Sequence, residues 1–425
     1  MTAPSETVIR AHRLLAGAGE PATPDAEVAI SGGRITAVRA SGSVELAPDV
    51  EVVEHRGTLL PGLIDAHMHF FGVPSTQIQR LPKESESYRM GRAVAEARRM
   101  LLAGITTARD LGSSIGPDIR RAIDEGLFPG PRLLAAGEFV TTTDGTWQYN
   151  SIPLEWARQR DMIADGPDEM RAIVRRRTRR GATAIKLGLS KGCVGDHLHA
   201  WGDDPGHQLA AMTTIEAAAA VDEAHGHELR VAGHAIGDAA VGIALDAGVD
   251  TIEHGYGITP AMRDRLAAAQ TPVVSTISQL QRHVASFDEF AYPVVERDAL
   301  RRHFDRMRVD FEANVAAGVR YILGSDLIGP PSHPQDIAAH EFAYAVEWGM
   351  TPAAAIRAGT SDSATALGLG ADVGHIGVGK WADLVGVVGD PLEDITELQR
   401  PVLVLKGGDV IRGASGIREG RIDER

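Results

Sequence analysis

His67 and His69 stand two residues apart in the run Pro61-Gly62-Leu63-Ile64-Asp65-Ala66-His67-Met68-His69. Alternate side chains of a strand share one face, so the two imidazoles project together and are placed to bind one metal ion. Four further metal-capable groups close short apolar runs: Lys186 within Ala184-Ile185-Lys186-Leu187, His234 after Val231-Ala232-Gly233, His254 in Thr251-Ile252-Glu253-His254, and Asp326 in Gly324-Ser325-Asp326. Taken singly, each has an ordinary structural reading: a core histidine, a snorkelling lysine, a helix cap. Taken together, six such groups at the ends of five apolar runs argue for a metal centre. Lys186 is the anomaly, because an unpaired ammonium in an apolar run is costly to bury. The single cysteine excludes an internal disulfide and every zinc site built on several thiolates, so imidazole and carboxylate must supply most of the ligands.

These groups need a scaffold that brings strand ends to one place. Residues 7–60 alternate short β-type runs with turns, including a Gly32-Gly33 hairpin signal. From about residue 60 the texture changes to short apolar runs separated by amphipathic helical stretches, the pattern of a parallel sheet. Eight candidate strands fall at 59–67, 105–109, 132–136, 182–188, 229–234, 249–253, 272–276 and 320–325. Helical stretches fall at 88–103, 117–126, 167–180, 213–226, 237–247 and 297–317, with another over 351–369. After that the chain reverts to β texture, with a second Gly-Gly at 407–408. The expected fold is α/β: a (β/α)8 TIM barrel over 61–369, with segments 1–60 and 370–425 joined into a small β-sandwich domain. A doubly wound sheet would call for a Gly-rich phosphate fingerprint after its first strand, and the sequence has none there. In a barrel the strands' carboxyl ends form the active face, which is where the six groups fall.

Composition narrows the partners. The chain has 425 residues, 57 acidic against 43 basic, and a net charge of −14, an unfavourable field for a polyanion. The basic run Arg175–Arg180 closes a helix that opens with Pro167, Asp168 and Glu169, an arrangement the helix dipole favours without nucleic acid. The amino terminus has no signal-peptide pattern, and no apolar run is long enough to span a membrane. The expectation is a cytoplasmic protein with a small-molecule substrate, no nucleic acid and no membrane, compatible with a homo-oligomer.

Beyond the six groups, the chain carries Gly104-Ile105-Thr106-Thr107-Ala108-Arg109-Asp110-Leu111-Gly112, Gly130-Pro131-Arg132-Leu133-Leu134-Ala135-Ala136-Gly137 and Gly379-Lys380-Trp381-Ala382-Asp383-Leu384-Val385. With the 61–69 motif these resemble the amidohydrolase superfamily, in its imidazolonepropionase-like and prolidase-like branch of Xaa-Pro and Xaa-Arg dipeptidase-like enzymes. The resemblance implies that His67, His69 and Asp326 hold the more buried of two divalent ions and that His234 and His254 hold the other. Lys186, carbamylated by carbon dioxide, would bridge them, turning a buried cation into an anion. It further implies a metal-bridged hydroxide that attacks an amide-like C–N bond, with Asp326 carrying the proton to the leaving group. Zinc heads the candidates, with manganese, iron and cobalt also suited to such donors.

Two departures touch the substrate. Dipeptidase-like relatives often have an aromatic residue two positions after the strand-five histidine, where this chain has Ile236; imidazolonepropionases have glutamate three positions after it, where this chain has Gly237. The expected substrate is therefore an N-acyl amino acid, dipeptide, carbamate or urea, with cyclic amide, imidazolone or lactone opening as the alternative. Arg109, Asp110 and the loop histidines are candidate anchors for a substrate carboxylate or amide. Loops after the strands should line the pocket, giving Trp147, Tyr149, His197, His199, Trp201, Gln279 and His333 as candidate substrate contacts. The aromatic residues among them point to a flat apolar or aromatic moiety, with plain loop packing as the other reading. Two rivals stand against metal hydrolysis: thiol catalysis by Cys193 with His197 or His199, and a catalytically inactive barrel used as a binding module. On the metal reading, alkylating Cys193 leaves activity intact and a chelator abolishes it; the reverse outcome in parallel assays supports the thiol.

Overall fold

The computed structural model describes residues 6–17, 19–146, 153–191, 204–413 and 416–417. The opening segment forms β1 (Thr7–Leu14), β2 (Thr23–Ser31), β3 (Arg34–Ala40) and β4 (Glu51–Pro61). The parallel strands of the interior follow as β5 (Leu63–Met68), β6 (Ile105–Asp110), β7 (Arg132–Ala135), β8 (Ala184–Gly188), β9 (Arg230–Ala235), β10 (Thr251–His254), β11 (Val273–Val274) and β12 (Tyr321–Ile322). The last strands are β13 (Leu384–Val387), β14 (Leu403–Lys406), β15 (Asp409–Gly413) and β16 (Gly416–Ile417).

Both ends of the chain contribute to one outer sheet, in the order β16-β15-β14-β13-β4-β1-β2-β3. Only the β1–β4 pair in it is parallel. Gly32 and Gly33 have φ of 57° and 78°, the two positive angles a tight right-twisting hairpin needs. The β2–β3 hairpin folds back on the carboxyl-terminal strands: the Ala382 amide donates to the Gly33 carbonyl at 2.9 Å and the Gly408 amide to the Ala382 carbonyl at 3.1 Å. Ile9, Val28 and Ile30 from one half share an apolar cluster with Leu384, Leu403 and Leu405 from the other. Both ends of the chain thus meet in a single eight-stranded sheet.

The chain enters the interior directly at Gly62, where a Cβ would lie 2.0 Å from Thr106 Oγ1, so no larger residue fits between β4 and β5. The interior strands form two parallel arcs, β5-β6-β7 and β12-β11-β10-β9-β8. Backbone bonds run between the arcs: the Val140 amide donates to the Lys186 carbonyl at 2.8 Å, and the Ala66 amide to the Leu323 carbonyl at 3.0 Å. Every residue of β5, β6, β8 and β10 is buried, as expected where helices cover the strands. The helix Glu86–Leu102 starts at Ser85, whose hydroxyl accepts from the Tyr88 amide, and buries Ala93, Ala97, Met100 and Leu101. The helix Thr214–Gly226 opens with a reciprocal Thr213–Glu216 capping box.

The basic run ends the helix Pro167–Arg179 and is consumed internally: Arg175 pairs with Glu223 at 2.7 Å, Arg176 with Asp161 at 2.9 Å, and Arg177 Nε donates to the Glu138 carbonyl at 2.9 Å. The stretch expected as one helix over 351–369 is two, Pro352–Ala358 and Ser361–Ala366, broken at Thr360, whose φ of −135° and ψ of −95° are not helical. Strands expected over 272–276 and 320–325 shorten to two residues each, Val273–Val274 and Tyr321–Ile322; Thr276, inside the first expected run, has a left-handed φ of 53°. No helix among the described residues is long and apolar enough to cross a membrane.

The two hairpin glycines separate backbone strain from steric contact. Gly32→Ala meets no atom within 4 Å and should cost only the ~1–2 kcal/mol of a left-handed alanine. Gly33→Ala would place a Cβ 2.7 Å from the Gly407 carbonyl oxygen and should lose a further ~1–3 kcal/mol. Denaturant melts of both variants check that difference; equal losses would mean that the two ends of the outer sheet do not constrain each other.

Candidate metal centre

The site begins with the strand period. His67 lies in β5 and His69 just past its end, with ring centroids 5.3 Å apart, as two residues of one strand face require. Asp65, on the same face, ties this strand to the loop after β12. Its Oδ1 accepts from the His67 amide at 3.1 Å and the Ser325 amide at 2.9 Å, and its Oδ2 accepts from the Ser325 hydroxyl at 2.5 Å. The next residue, Asp326, therefore turns back over the histidines. Its Oδ1 lies 3.0 Å from His69 Nε2 and 3.4 Å from His67 Nε2. Ligand atoms of His67, His69 and Asp326 all fall within 4.8 Å of one another.

The remaining groups arrive from the other arc. Lys186 Nζ, on β8, lies 3.5 Å from His67 Nε2. The His254 ring, at the end of β10, is 5.2 Å from that of His67 and 4.5 Å from that of His234 on β9. One cavity is lined by all six groups together with Leu111, Phe139, Thr146 and Gly188. The structure thus brings His67, His69, Lys186, His234, His254 and Asp326 to one place.

Burial sets their protonation. It pushes His67, His234 and His254 well below the usual histidine range, so these rings are neutral and hold lone pairs at pH 7. It also pushes Lys186 down to about 8, against both Glu253 and Asp326, whose charges act in the opposite direction. A deprotonated amine is the form that reacts with carbon dioxide, so this shift suits carbamylation.

Whether a metal fits can be judged from electron pairs. His67 Nδ1 lies 2.8 Å from Glu253 Oε2, close but not aligned as a hydrogen bond, and that anion favours the ring proton on Nδ1. Nε2 then carries a lone pair, and it faces a carboxylate oxygen. Lone pair against carboxylate is repulsive unless a cation lies between them, and imidazole with carboxylate is a donor set suited to divalent ions. The residues fit a metal.

Contacts invisible to motif reading hold this arrangement. Glu253 Oε1 accepts from Arg109 Nη2 at 2.9 Å and from the Thr251 hydroxyl at 2.5 Å. His254 Nδ1 is 2.8 Å from the Thr276 hydroxyl. His254, Thr276 and Asp326 all have left-handed backbones, with φ of 75°, 53° and 53°, and such conformations in bulky residues persist only where surrounding structure enforces them. Asp65 and Glu253 gave a sequence signal, an acid inside an apolar run; Thr276 gave none.

Arg109 and Asp110 do not serve as substrate anchors. Arg109 is 1% exposed and spends its donors on the Ala66 carbonyl at 2.7 Å, Thr251 at 3.0 Å and Glu253. Asp110 is buried and accepts from the amides of Gly112 and Ser113, both at 3.1 Å, and of Phe70 at 3.4 Å. Gln279 and His333 are buried outside the cavity wall; His333 bonds through Nδ1 to the Ser332 hydroxyl at 2.6 Å and through Nε2 to the Gln279 carbonyl at 3.2 Å. Trp147, Tyr149, Cys193, His197, His199 and Trp201 lie outside the described residues.

Comparison with known proteins agrees with this geometry. The amidohydrolase family profile matches residues 58–411. Ochratoxinase of Aspergillus niger is 29% identical over 435 aligned residues, covering 96% of this chain and 87% of that enzyme. Its crystal structure superposes with a TM-score of 0.87 at 26% identity over 99% of each chain. A Xaa-Pro dipeptidase crystallised with methionine in its active site superposes with a TM-score of 0.86 at 29% identity, covering 96% of this chain and 100% of the dipeptidase.

The lysine shift has a measurable consequence in metal-free protein. Between pH 8 and 10.5 the unfolded chain holds the Lys186 proton and the folded chain does not, so stability rises with pH across that window. The rise should reach roughly 3 kcal/mol and be missing in Lys186→Met. Parallel slopes for both proteins in pH-dependent denaturant melts would contradict the burial of a titrating amine.

Proposed function

The chain belongs to the amidohydrolase family and is a hydrolase acting on carbon–nitrogen bonds, and from that premise we propose that it uses two divalent ions to cleave the amide of a dipeptide or N-acyl amino acid carrying an apolar or aromatic moiety. The two parallel arcs read as one (β/α)8 barrel over 61–369, with 1–60 and 370–425 as its β companion domain. The observation that carries the proposal is the convergence of six donor side chains on one cavity, with lone pairs and a carboxylate facing each other.

On this reading His67, His69 and Asp326 would hold one ion, His234 and His254 the other, and Lys186, once carbamylated, would contribute to both. Bound there, two divalent ions, zinc foremost, would supply a hydroxide at neutral pH and a Lewis acid for the scissile carbonyl. Asp326 Oδ1, 3.0 Å from His69 Nε2 at the cavity wall, is the carboxylate placed to take a proton and return it to the leaving nitrogen. Leu111 and Phe139 give the same cavity an apolar side, where an acyl or aromatic group can displace water.

The substrate class follows partly from what the site lacks in bulk. Ile236, after His234, is fully buried with its amide 3.3 Å from the Ser190 hydroxyl. Gly237 has φ of 82° and a neighbour 3.1 Å from where its Cβ would lie, so no side chain is presented there. Neither position offers the aromatic or carboxylate group of the relatives that place one there. The printed activities of the relatives, ochratoxinase and Xaa-Pro dipeptidase, favour an amide over a carbamate, urea or lactone.

An activity screen of metal-loaded protein against dipeptides, N-acyl amino acids, carbamates, ureas and lactones tests the substrate class, with turnover expected first among N-acyl amino acids and dipeptides bearing apolar groups. Lys186→Ala should lose at least about 100-fold in activity and recover part of it in a small carboxylic acid. Full activity of Lys186→Ala would overturn its assigned place.

A further inference from the structure

Glu96 is 2% exposed on the inner face of the helix Glu86–Leu102, among Ala93, Ala97 and Met100, and hydrolysis assigns it no task. Burying a carboxyl among apolar residues costs desolvation, which pushes it up to about 7 even though the charges of Arg99 and Arg92, a turn to either side, act against that. Its hydrogen bond points inward. Glu96 Oε2 accepts from Gln335 Nε2 at 3.4 Å, and the same nitrogen of Gln335, itself 2% exposed, donates to the His69 carbonyl at 2.9 Å. His69 stands one residue past β5, where the pairing of the strand ends, and a buried carbonyl there needs a donor from elsewhere. That donor comes from the segment that carries Asp326. The Asp326 amide donates to the His67 carbonyl at 2.7 Å, and the His69 amide to the Leu327 carbonyl at 2.9 Å. The segment then closes on itself, with the Gly329 amide 2.8 Å from the His333 carbonyl and the His333 amide 3.1 Å from that of Gly329. It passes the helix at Gly329, where a Cβ would lie 3.4 Å from Glu96 Oε1, and returns to His69 through Gln335.

We propose that Gln335, steadied by Glu96, is a positioning residue that holds the His69 backbone against segment 326–335 and so fixes the spacing of His69 and Asp326 as donors to one ion. The proposal rests on the metal reading above. His69 is gripped at both polar atoms of its main chain, the N–H by Leu327 and the carbonyl by Gln335, and Asp326 begins the segment that grips it. The Gln335 amide nitrogen has two N–H groups, and both of its neighbours here are acceptors, so one goes to each and the amide plane is fixed. An apolar residue at position 96 would be cheaper to bury but would leave that amide free to turn. Donors already held at their final spacing lose less freedom when an ion binds than donors that must be brought together.

Metal-free full-length protein titrated with cobalt(II) against a competing chelator tests this, with denaturant melts of the metal-free variants alongside. Gln335→Met, unbranched and of similar length but without an N–H, should weaken cobalt binding by about 10-fold in at least one step. Glu96→Leu should weaken it by about 3-fold while its denaturant midpoint stays at or above that of wild type. Glu96→Gln keeps an acceptor for Gln335 and should bind cobalt as wild type does. Ser332→Ala loosens the same segment at its contact with Ser75, away from His69, and should lower the midpoint without moving cobalt affinity. If Gln335→Met does not fold, Glu96→Leu decides in its place. A wild type that binds no cobalt overturns the metal reading itself. Cobalt bound by wild type, with affinity unchanged in the folded Gln335→Met or Glu96→Leu protein, overturns the role given to Gln335. An equal loss of affinity in Ser332→Ala overturns it too, because the effect would then belong to the segment as a whole.

Discussion

The structure depends on nitrogen and oxygen donors crowded against one another in a buried pocket. His67 Nε2 lies 3.4 Å from Asp326 Oδ1, and His69 Nε2 approaches the same oxygen at 3.0 Å, an arrangement of lone pairs and carboxylate that repels itself. A cation resolves that repulsion, and much of the surrounding architecture serves to hold the donors close enough to need one. Asp65 stitches β5 to the loop after β12, so that the histidine pair and Asp326 cannot separate without breaking two hydrogen bonds from Ser325 to one carboxylate. His254 at the end of β10, and Thr276 and Asp326 in the segments after β11 and β12, all have left-handed backbones.

Such a site works against folding. Lys186, Asp65, Arg109 and Glu253 are all buried, and burial holds Asp65 up to about 7 and Lys186 down to about 8. Each costs desolvation, and three left-handed non-glycine residues add strain of order 1–3 kcal/mol each. The compensation comes from around the site: strands buried along their whole length, helices capped at Ser85 and Thr213, and an outer sheet that joins both ends of the chain. A metal that binds only the folded state would add to that balance by mass action. Family membership and the superposition on a dipeptidase and an ochratoxinase show that this scaffold is shared with those enzymes.

Much of this was legible in the sequence, for identifiable reasons. Period-two spacing placed His67 and His69 on one face, and polar residues closing apolar runs singled out Lys186, His234, His254 and Asp326. The alternation of strands and helices was read from periodicity, and most expected helices lie within a few residues of those observed. What escaped depends on three dimensions. Arg109 looked like an anchor for substrate because it ends an apolar strand beside an acid; it is a brace, because Glu253, 144 positions later, lies across the interior from it. Thr276 is an unremarkable residue in a polar stretch until His254 arrives 2.8 Å away. Strands β11 and β12 keep only two residues each, shorter than the hydrophobic runs that pointed to them. The outer sheet was legible as β texture at both termini, whereas its continuity across β4 and β13 is a matter of pairing, which composition does not carry.

The most direct measurement of the central claim is the native mass of the protein expressed in metal-supplemented medium. The account predicts a mass exceeding that of the polypeptide by two divalent ions and one carbon dioxide, with the carbon dioxide lost in Lys186→Ala. A mass equal to the bare polypeptide, from protein that is folded and active, would contradict it.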